Sequence, residues 1–362
     1  MINLAPQLEH YLPQRPARII KQAGVKASEL ADVNLYLVGG IVRDMLLGRP
    51  SLDFDLIVDG EVEQLAWALS IATGARLVRH SQFGTAKLSY RGFSLDLAMA
   101  RRESYLKPGA LPVVAPGRIS DDLLRRDFSI NAMAICLAAS RYGELLDPFN
   151  GKRDLENKLI RVLHPKSFVD DATRILRALR YEQRLDFTIE KGTLALLRRD
   201  TAMLKTISAD RVRHELELIL GEELPEKVLR RAAELGVLPQ IHPALRGNGW
   251  LSQRFSQARE TIKKASLSLV YLCLLLYSLP EAERQSFLER FRFPRKAVKA
   301  LESSFELKLR QEELETPGLS PSRRETPPPV ITKPLLVLKL RLPALPRGCS
   351  GARPSLANRW HH

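Results

Sequence analysis

The chain has 362 residues, 45% hydrophobic and 27% charged, enough for two or three domains with sizeable cores and unlike a disordered or fibrous sequence. A net charge of +15 and a pI near 9.9 favour a polyanionic partner. Cys136, Cys273 and Cys349 are too far apart for a CxxC zinc site or a disulfide framework, the longest apolar run (residues 267–279) is too short to span a bilayer, and no secretory signal layout opens the chain, so a reducing cytoplasm is the expected setting.

Residues 1–30 read as a helical lead-in. From 31 to about 150, short β-prone runs (residues 35–38, 53–58, 76–78, 85–90 and 94–99) alternate with helical ones, which predicts an α/β or α+β head. The first run, Leu35-Tyr36-Leu37-Val38, leads into Gly39-Gly40, where the backbone can turn tightly and approach a ligand; residues 41–47 then read as a helix. Free N–H groups and the helix dipole favour phosphate at such a start, and Arg43 adds a charge in the first turn. Asp53 and Asp55 follow, two apart in a strand pattern, so both carboxylates leave one face. Clustered carboxylates repel unless a cation lies between them, and hard oxygen ligands suit Mg²⁺. Asp96, in Leu95-Asp96-Leu97, is either a third such carboxylate or an ordinary strand residue.

Residues 100–120 form a long, turn-rich loop of the kind that is functional or disordered. Next comes Arg125-Arg126-Asp127-Phe128-Ser129-Ile130-Asn131-Ala132-Met133-Ala134. Its two arginines suit phosphate, and the same letters also read as a capped helix start with Phe128 and Ile130 turned inward. Asp147-Pro148-Phe149-Asn150-Gly151 reads as a turn or a hinge.

From 152 to about 311 strand signals vanish, and Pro and Gly divide a helical pattern into a neck (151–220) and a body (221–315). In Asp170-Asp171-Ala172-Thr173-Arg174-Ile175-Leu176-Arg177-Ala178-Leu179-Arg180, Ile175, Leu176 and Leu179 form an apolar stripe, while the three arginines follow a slowly rotating face. Asp171 and Arg174 are surface neighbours able to pair with each other. They also suit another task. Cytosine and adenine present an amino donor beside a ring-nitrogen acceptor, whereas guanine and uracil present the reverse, so a carboxylate beside a guanidinium accepts C and A and rejects G and U. Residues 207–216, which include Asp210, Arg211 and Glu215, read as a capped structural helix. Beyond 315 there are nine prolines in 47 residues, and disorder is the expectation for 316–362. That composition is also what translation in a shifted frame produces, which reading the coding DNA in all frames would decide.

The order strand, Gly-Gly, Arg-Asp, helix, Asp-x-Asp, strand resembles the head of the DNA polymerase β superfamily. Joined by the Arg125–Ala134 run and Asp170-Asp171-x-x-Arg174, it resembles the class II tRNA nucleotidyltransferase and bacterial poly(A) polymerase family over roughly residues 30–220. The resemblance implies a nucleotidyltransferase head followed by an all-helical neck and an RNA-binding body. It implies addition of CCA, or only its terminal A, to tRNA 3′ ends from CTP and ATP with two Mg²⁺ ions. Asp53 and Asp55 would hold metal, with Asp96 as the third candidate. Gly39, Gly40, Arg43, Asp44 and Arg125 or Arg126 would contact the nucleotide, with Asp127 and Asn131 near its sugar. Asp171 and Arg174 would read the base, and Arg177 and Arg180 would add further contacts. Asp170 stands where the family has Glu. The 100–120 loop would be a flexible element linked to the final A. A poly(A) polymerase shares every one of these motifs, and a catalytically silent RNA-binding protein is the rival of another class.

Overall fold

The apolar run at residues 35–38 becomes strand β1 (Asn34–Val38), in which Leu35 and Leu37 enter one core while Tyr36 and Val38 enter another on the opposite face. The protein is described from a computed structural model over residues 2–80 and 84–315; the stretch from 316 onward, with its expected disorder, lies outside the described residues. The remaining strands of the head are β2 (Phe54–Asp59), β3 (Arg76–His80), β4 (Thr85–Tyr90), β5 (Phe93–Met99), β6 (Arg101–Ser104), β7 (Val113–Pro116), β8 (Ala134–Cys136) and β9 (Leu145–Leu146). Seven of them form one sheet in the order β3-β4-β5-β2-β1-β8-β9. Only β2 and β5 pair in parallel, in a register that sets Asp55 beside Asp96.

Helices α1 (Ala5–Tyr11), α2 (Gln14–Ser28), α3 (Gly40–Leu46) and α4 (Val62–Thr73) accompany the sheet. Leu8, Ile19, Ile20 and Ala23 of the first two share a core with Leu35, Phe54, Leu56 and Leu95, so the lead-in is built into the head. Gly24 allows the closest approach: a Cβ there would fall 1.9 Å from the Leu137 carbonyl oxygen. Phe54 is 1% exposed and meets Phe93 edge to face, a burial worth about 1.5–3 kcal/mol. Because the strand alternates, burying Phe54 turns Asp53 and Asp55 to the opposite face. That face is only partly covered, by α5 (Ile119–Leu124), and the rest stays open.

The chain leaves the head through Asp147, whose carboxylate accepts from the Gly151 and Lys152 N–H groups (2.6 and 2.9 Å) and starts α6 (Gly151–Glu156), while Asn150 takes the left-handed conformation at φ 56°. There follow α7 (Ser167–Asp170), α8 (Thr173–Leu185), α9 (Lys191–Asp200), α10 (Ala209–Leu220) and six more helices ending in Arg295–Glu315. A second large core runs from Phe128 and Ile130 through Ile175, Leu176 and Leu179 to Phe255, Tyr271 and Phe305. The helical reading past residue 152 needs one amendment: Leu159–Ile160 and Thr188–Ile189 form a short parallel pair beside α8. The apolar run near 270 is the buried helix Lys264–Leu276, and among the described residues no helix is long and apolar enough to cross a membrane.

Candidate active site

A cleft of about 820 Å³ opens where the bare face of the sheet meets α8 and α10. At its head end, Asp53, Asp55 and Asp96 each bring an oxygen within 4.8 Å of the others. The crowding shows in Asp55. It is open to solvent along the cleft yet flanked by protein, and partial burial, followed by the charges of Asp53 and Asp96, pushes its carboxyl up to about 6 despite Arg126 and Lys87. Lys87, opposite Asp96 on β4, makes a 3.0 Å ion pair with it and is the internal cation of this cluster. Lys87 and Arg126 against three carboxylates still leave excess negative charge, and an all-oxygen donor set of this kind fits a hard divalent cation.

Beside the carboxylates lies the glycine bend. Gly39 has φ 75°, and a Cβ there would come within 2.7 Å of Arg126 Nη1. Arg126 therefore rests on the bend. Buried Asp122 holds both neighbours: Arg125 at 2.7 Å and Arg126 at 3.0 Å. Arg125 also reaches Glu103 on β6, 3.2 Å away.

From the bend a continuous network crosses into the neck. Buried Arg43 pairs with Asp44 (2.8 Å) and donates to Asn131 Oδ1 (2.7 Å). Asn131 donates to Asp127 Oδ1 (2.9 Å), and Asp127 Oδ2 accepts from Arg177 (2.6 Å). Desolvation alone would raise the Asp127 carboxyl, but the Arg177 charge and the hydrogen bonds from Asn131 and Arg177 hold it below the usual range. Asp127 and Asn131, expected near a sugar, line the cleft while serving as the bridge between head and neck.

At the neck end stand Asp171 and Arg174. They do not pair with each other. Asp171 Oδ1 accepts from the Thr173 N–H and hydroxyl (2.9 and 2.6 Å) and forms an ion pair with Arg211 (2.7 Å). Arg174, 5% exposed, donates to the Ser167 hydroxyl and to the Arg125 carbonyl, each at 2.7 Å. Two of the five N–H donors of a guanidinium are thereby used, and Asp171, a lining residue of the cleft, makes no hydrogen bond through Oδ2 among the described residues.

The cleft thus gathers Gly39, Gly40, Arg43, Asp44, Asp53, Asp55, Asp96, Arg125, Arg126, Asp127, Asn131, Asp171, Arg174 and Arg177. Arg180 is a correction. It does not line the cleft but is buried against Glu215 (3.5 Å) and Glu222 (3.4 Å). Each three-residue step along a helix lags a full turn by about 60°, so Arg180 sits well round from Arg174. Arg211 corrects the reading of 207–216 as purely structural, since it reaches the cleft and clamps Asp171. Glu103 and Tyr105 also line it, brought there because the 100–120 loop is an ordered hairpin with β6 paired antiparallel to β7.

With this geometry established, comparison with known proteins is direct. Residues 35–161 match the poly(A) polymerase head domain family, and residues 186–247 match the probable RNA- and SrmB-binding site of polymerase A. An A-adding tRNA nucleotidyltransferase of Halalkalibacterium halodurans is 42% identical over 240 residues, covering 65% of this chain and 56% of that protein. A CCA-adding enzyme of Pseudomonas putida is 34% identical over 271 residues, covering 73% of this chain and 70% of that one. The solved Thermotoga maritima CCA-adding enzyme in complex with tRNA superimposes with a TM-score of 0.71 at 31% identity, covering 88% of this chain and 79% of that one. The chain belongs to the tRNA nucleotidyltransferase and poly(A) polymerase family. It spans about half, or only a third, of the length of its A-adding relatives.

Proposed function

We propose that this protein extends tRNA 3′ ends with C and A residues from CTP and ATP, completing CCA or adding its terminal A, without a nucleic-acid template. The observation that carries this reading is one cleft with a three-carboxylate cluster at one end and Asp171 with Arg174 at the other. Asp53 and Asp55, joined by Asp96, would hold Mg²⁺, two ions in the reading adopted here; bound there, the metal lowers the pKa of a 3′-hydroxyl and neutralises a pyrophosphate leaving group. The Gly39-Gly40 bend lets the backbone approach the triphosphate, with Arg43 and Arg126 supplying charge beside it. Arg126 is the better candidate of its pair, because it rests on Gly39, whereas Arg125 is turned to Glu103 in addition to the Asp122 they share.

Asp171 Oδ2 would accept the exocyclic amino group of cytosine or adenine, and Arg174 would donate to the adjacent ring nitrogen. Arg211 and Thr173 fix the carboxylate, and Ser167 and Arg125 fix the guanidinium, so little side-chain freedom is lost on binding. Residues 31–150, 151–220 and 221–315 would act as head, neck and RNA-holding body. The basic balance of the chain supports a grip on the tRNA backbone that weakens with salt. A cytoplasmic setting is proposed on the same footing, from cysteines that are free and buried at 136 and 273.

Similarity does not separate the specificities: the A-adding relative is 42% identical over 240 residues, and a CC-adding one from Deinococcus radiodurans is 42% identical over 200. The deciding experiment incubates the protein with tRNAs ending before CCA or after CC, and with an unrelated RNA, each with one labelled nucleotide. Incorporation confined to C and A on tRNA supports the proposal. Runs of A on any RNA would make it a poly(A) polymerase, and a folded protein that incorporates nothing would be a silent RNA binder.

A further inference from the structure

The hairpin at 101–116 brings an aromatic side chain into the cleft that the reading above leaves without a task. Tyr105, half-buried and just beyond β6, lines the same cleft as Asp171 and Arg174. Its hydroxyl donates to Glu103 Oε2 at 3.0 Å. Glu103 is in turn held by Arg101 (3.0 Å) and Arg125 (3.2 Å), and the Arg125 carbonyl is the acceptor that fixes Arg174. Tyr105, Glu103, Arg125 and Arg174 are therefore one hydrogen-bonded series, and the charges of Arg174 and Asp171 act on the phenol. The hairpin is also held at its far end, where a Cβ on Gly109 would lie 2.5 Å from the Thr206 carbonyl oxygen.

What the ring does not do is equally informative. Tyr181, the other tyrosine of the cleft, is covered by Arg43, Arg177 and Arg180 at 5.2–5.9 Å from its centroid. Among the described residues no aromatic ring or guanidinium stacks on Tyr105. An edge-reading carboxylate and guanidinium need the base held in their plane. A fixed aromatic face supplies that restraint without choosing among bases, since every base has a π-face.

We infer that Tyr105 is the platform of this cleft, on whose ring the incoming nucleobase lies while Asp171 and Arg174 read its edge. This rests on the nucleotide-transfer reading. The hydroxyl is the anchor and the ring is the contact.

The test titrates CTP, ATP and ribose 5′-triphosphate, which lacks a base, into wild-type protein with Mg²⁺ and into Tyr105→Leu, Tyr105→Phe and Tyr105→Trp, by calorimetry. Tyr105→Leu should weaken CTP and ATP by about tenfold, the scale of one stacking contact, and leave ribose 5′-triphosphate unchanged. Tyr105→Phe should stay within about threefold of wild type, Tyr105→Trp should bind both nucleotides well, and the preference for C and A over G and U should persist in all three. An equal loss for the baseless triphosphate would make Tyr105 a structural support of the hairpin and overturn the inference, as would CTP affinity in Tyr105→Leu equal to wild type. Failure of the wild-type protein to bind or transfer any nucleotide would instead sink the transfer reading, so the two failures are told apart.

Discussion

The two ends of the cleft are built on opposite electrostatic plans. At the head end, three carboxylates converge and face only Lys87, with Arg126 near Asp55. At the neck end three arginines are held by protein groups: Arg177 by Asp127, Arg211 by Asp171, and Arg174 by a hydroxyl and a carbonyl. The first end is incomplete until something positive arrives. The second is already tied internally, with two donors of Arg174 and Oδ1 of Asp171 committed to protein partners. Under the proposed function, chemistry that needs a mobile cation and recognition that needs a fixed shape would be kept apart within one cavity.

The sharpest way to break the contrast is at the incomplete end. Asp53→Asn should lower transfer to tRNA by at least about 10³-fold, the scale of losing a preorganised charge contact; tRNA affinity should remain within about twofold by filter binding, and retained turnover would refute the metal role. Phe54→Ala tests whether the carboxylates depend on the core beneath them. Removing that ring should cost about 3–5 kcal/mol in chemical denaturation. At the neck end, Arg174→Ala should spare overall turnover more than selectivity, cutting the preference for C and A over G and U by roughly 10- to 100-fold, the order of one or two hydrogen bonds to a charged group. An unchanged preference would locate selection elsewhere.

The acidity of Asp55 separates the ends by pH. With its carboxyl near 6 rather than 3.8, the metal-free folded chain binds more protons than the unfolded one between those values. This group therefore makes the folded state less stable as pH rises through that window. A divalent cation reverses the sign, because it favours the ionised form. Mg²⁺ should consequently raise the melting temperature more at pH 8 than at pH 5, and Mn²⁺ binding followed by electron paramagnetic resonance should weaken below about pH 6. Equal metal effects at both pH values would contradict the cluster. The smallest change expected is that of Lys87→Met. Its ion pair is nearly half exposed on both sides, so freeing Asp96 should tighten Mn²⁺ by only a few-fold.

Legibility in the sequence followed local periodicity. Residues 85–90 and 94–99 alternate, 35–38 and 54–58 are short apolar runs, and the strands appear there to within one or two positions. The strand β8 was hidden because Ala134-Ile135-Cys136 is only three residues long, too short for any periodicity, and it follows letters readable as a helix start. The hairpin was hidden for the opposite reason: Arg101–Ser104 is polar throughout. In the site, the Asp-x-Asp pair and the neck arginines announced themselves by spacing. Partner choice did not. That Asp171 would take Arg211 from 40 residues downstream, leaving Arg174 to a backbone carbonyl, depends on how α10 crosses α8, and no local pattern encodes that crossing.

The glycine at position 24 carries a consequence for biogenesis. The first long helix of the chain makes its closest approach to a carbonyl 113 residues further along, at a point where nothing larger than hydrogen fits. A ribosome must therefore reach residue 137 before this closest contact can form, although the helix can already lie on strand β1 and helix α4. Replacing this glycine should leave a chain that is made normally but captured by chaperones more often than its parent.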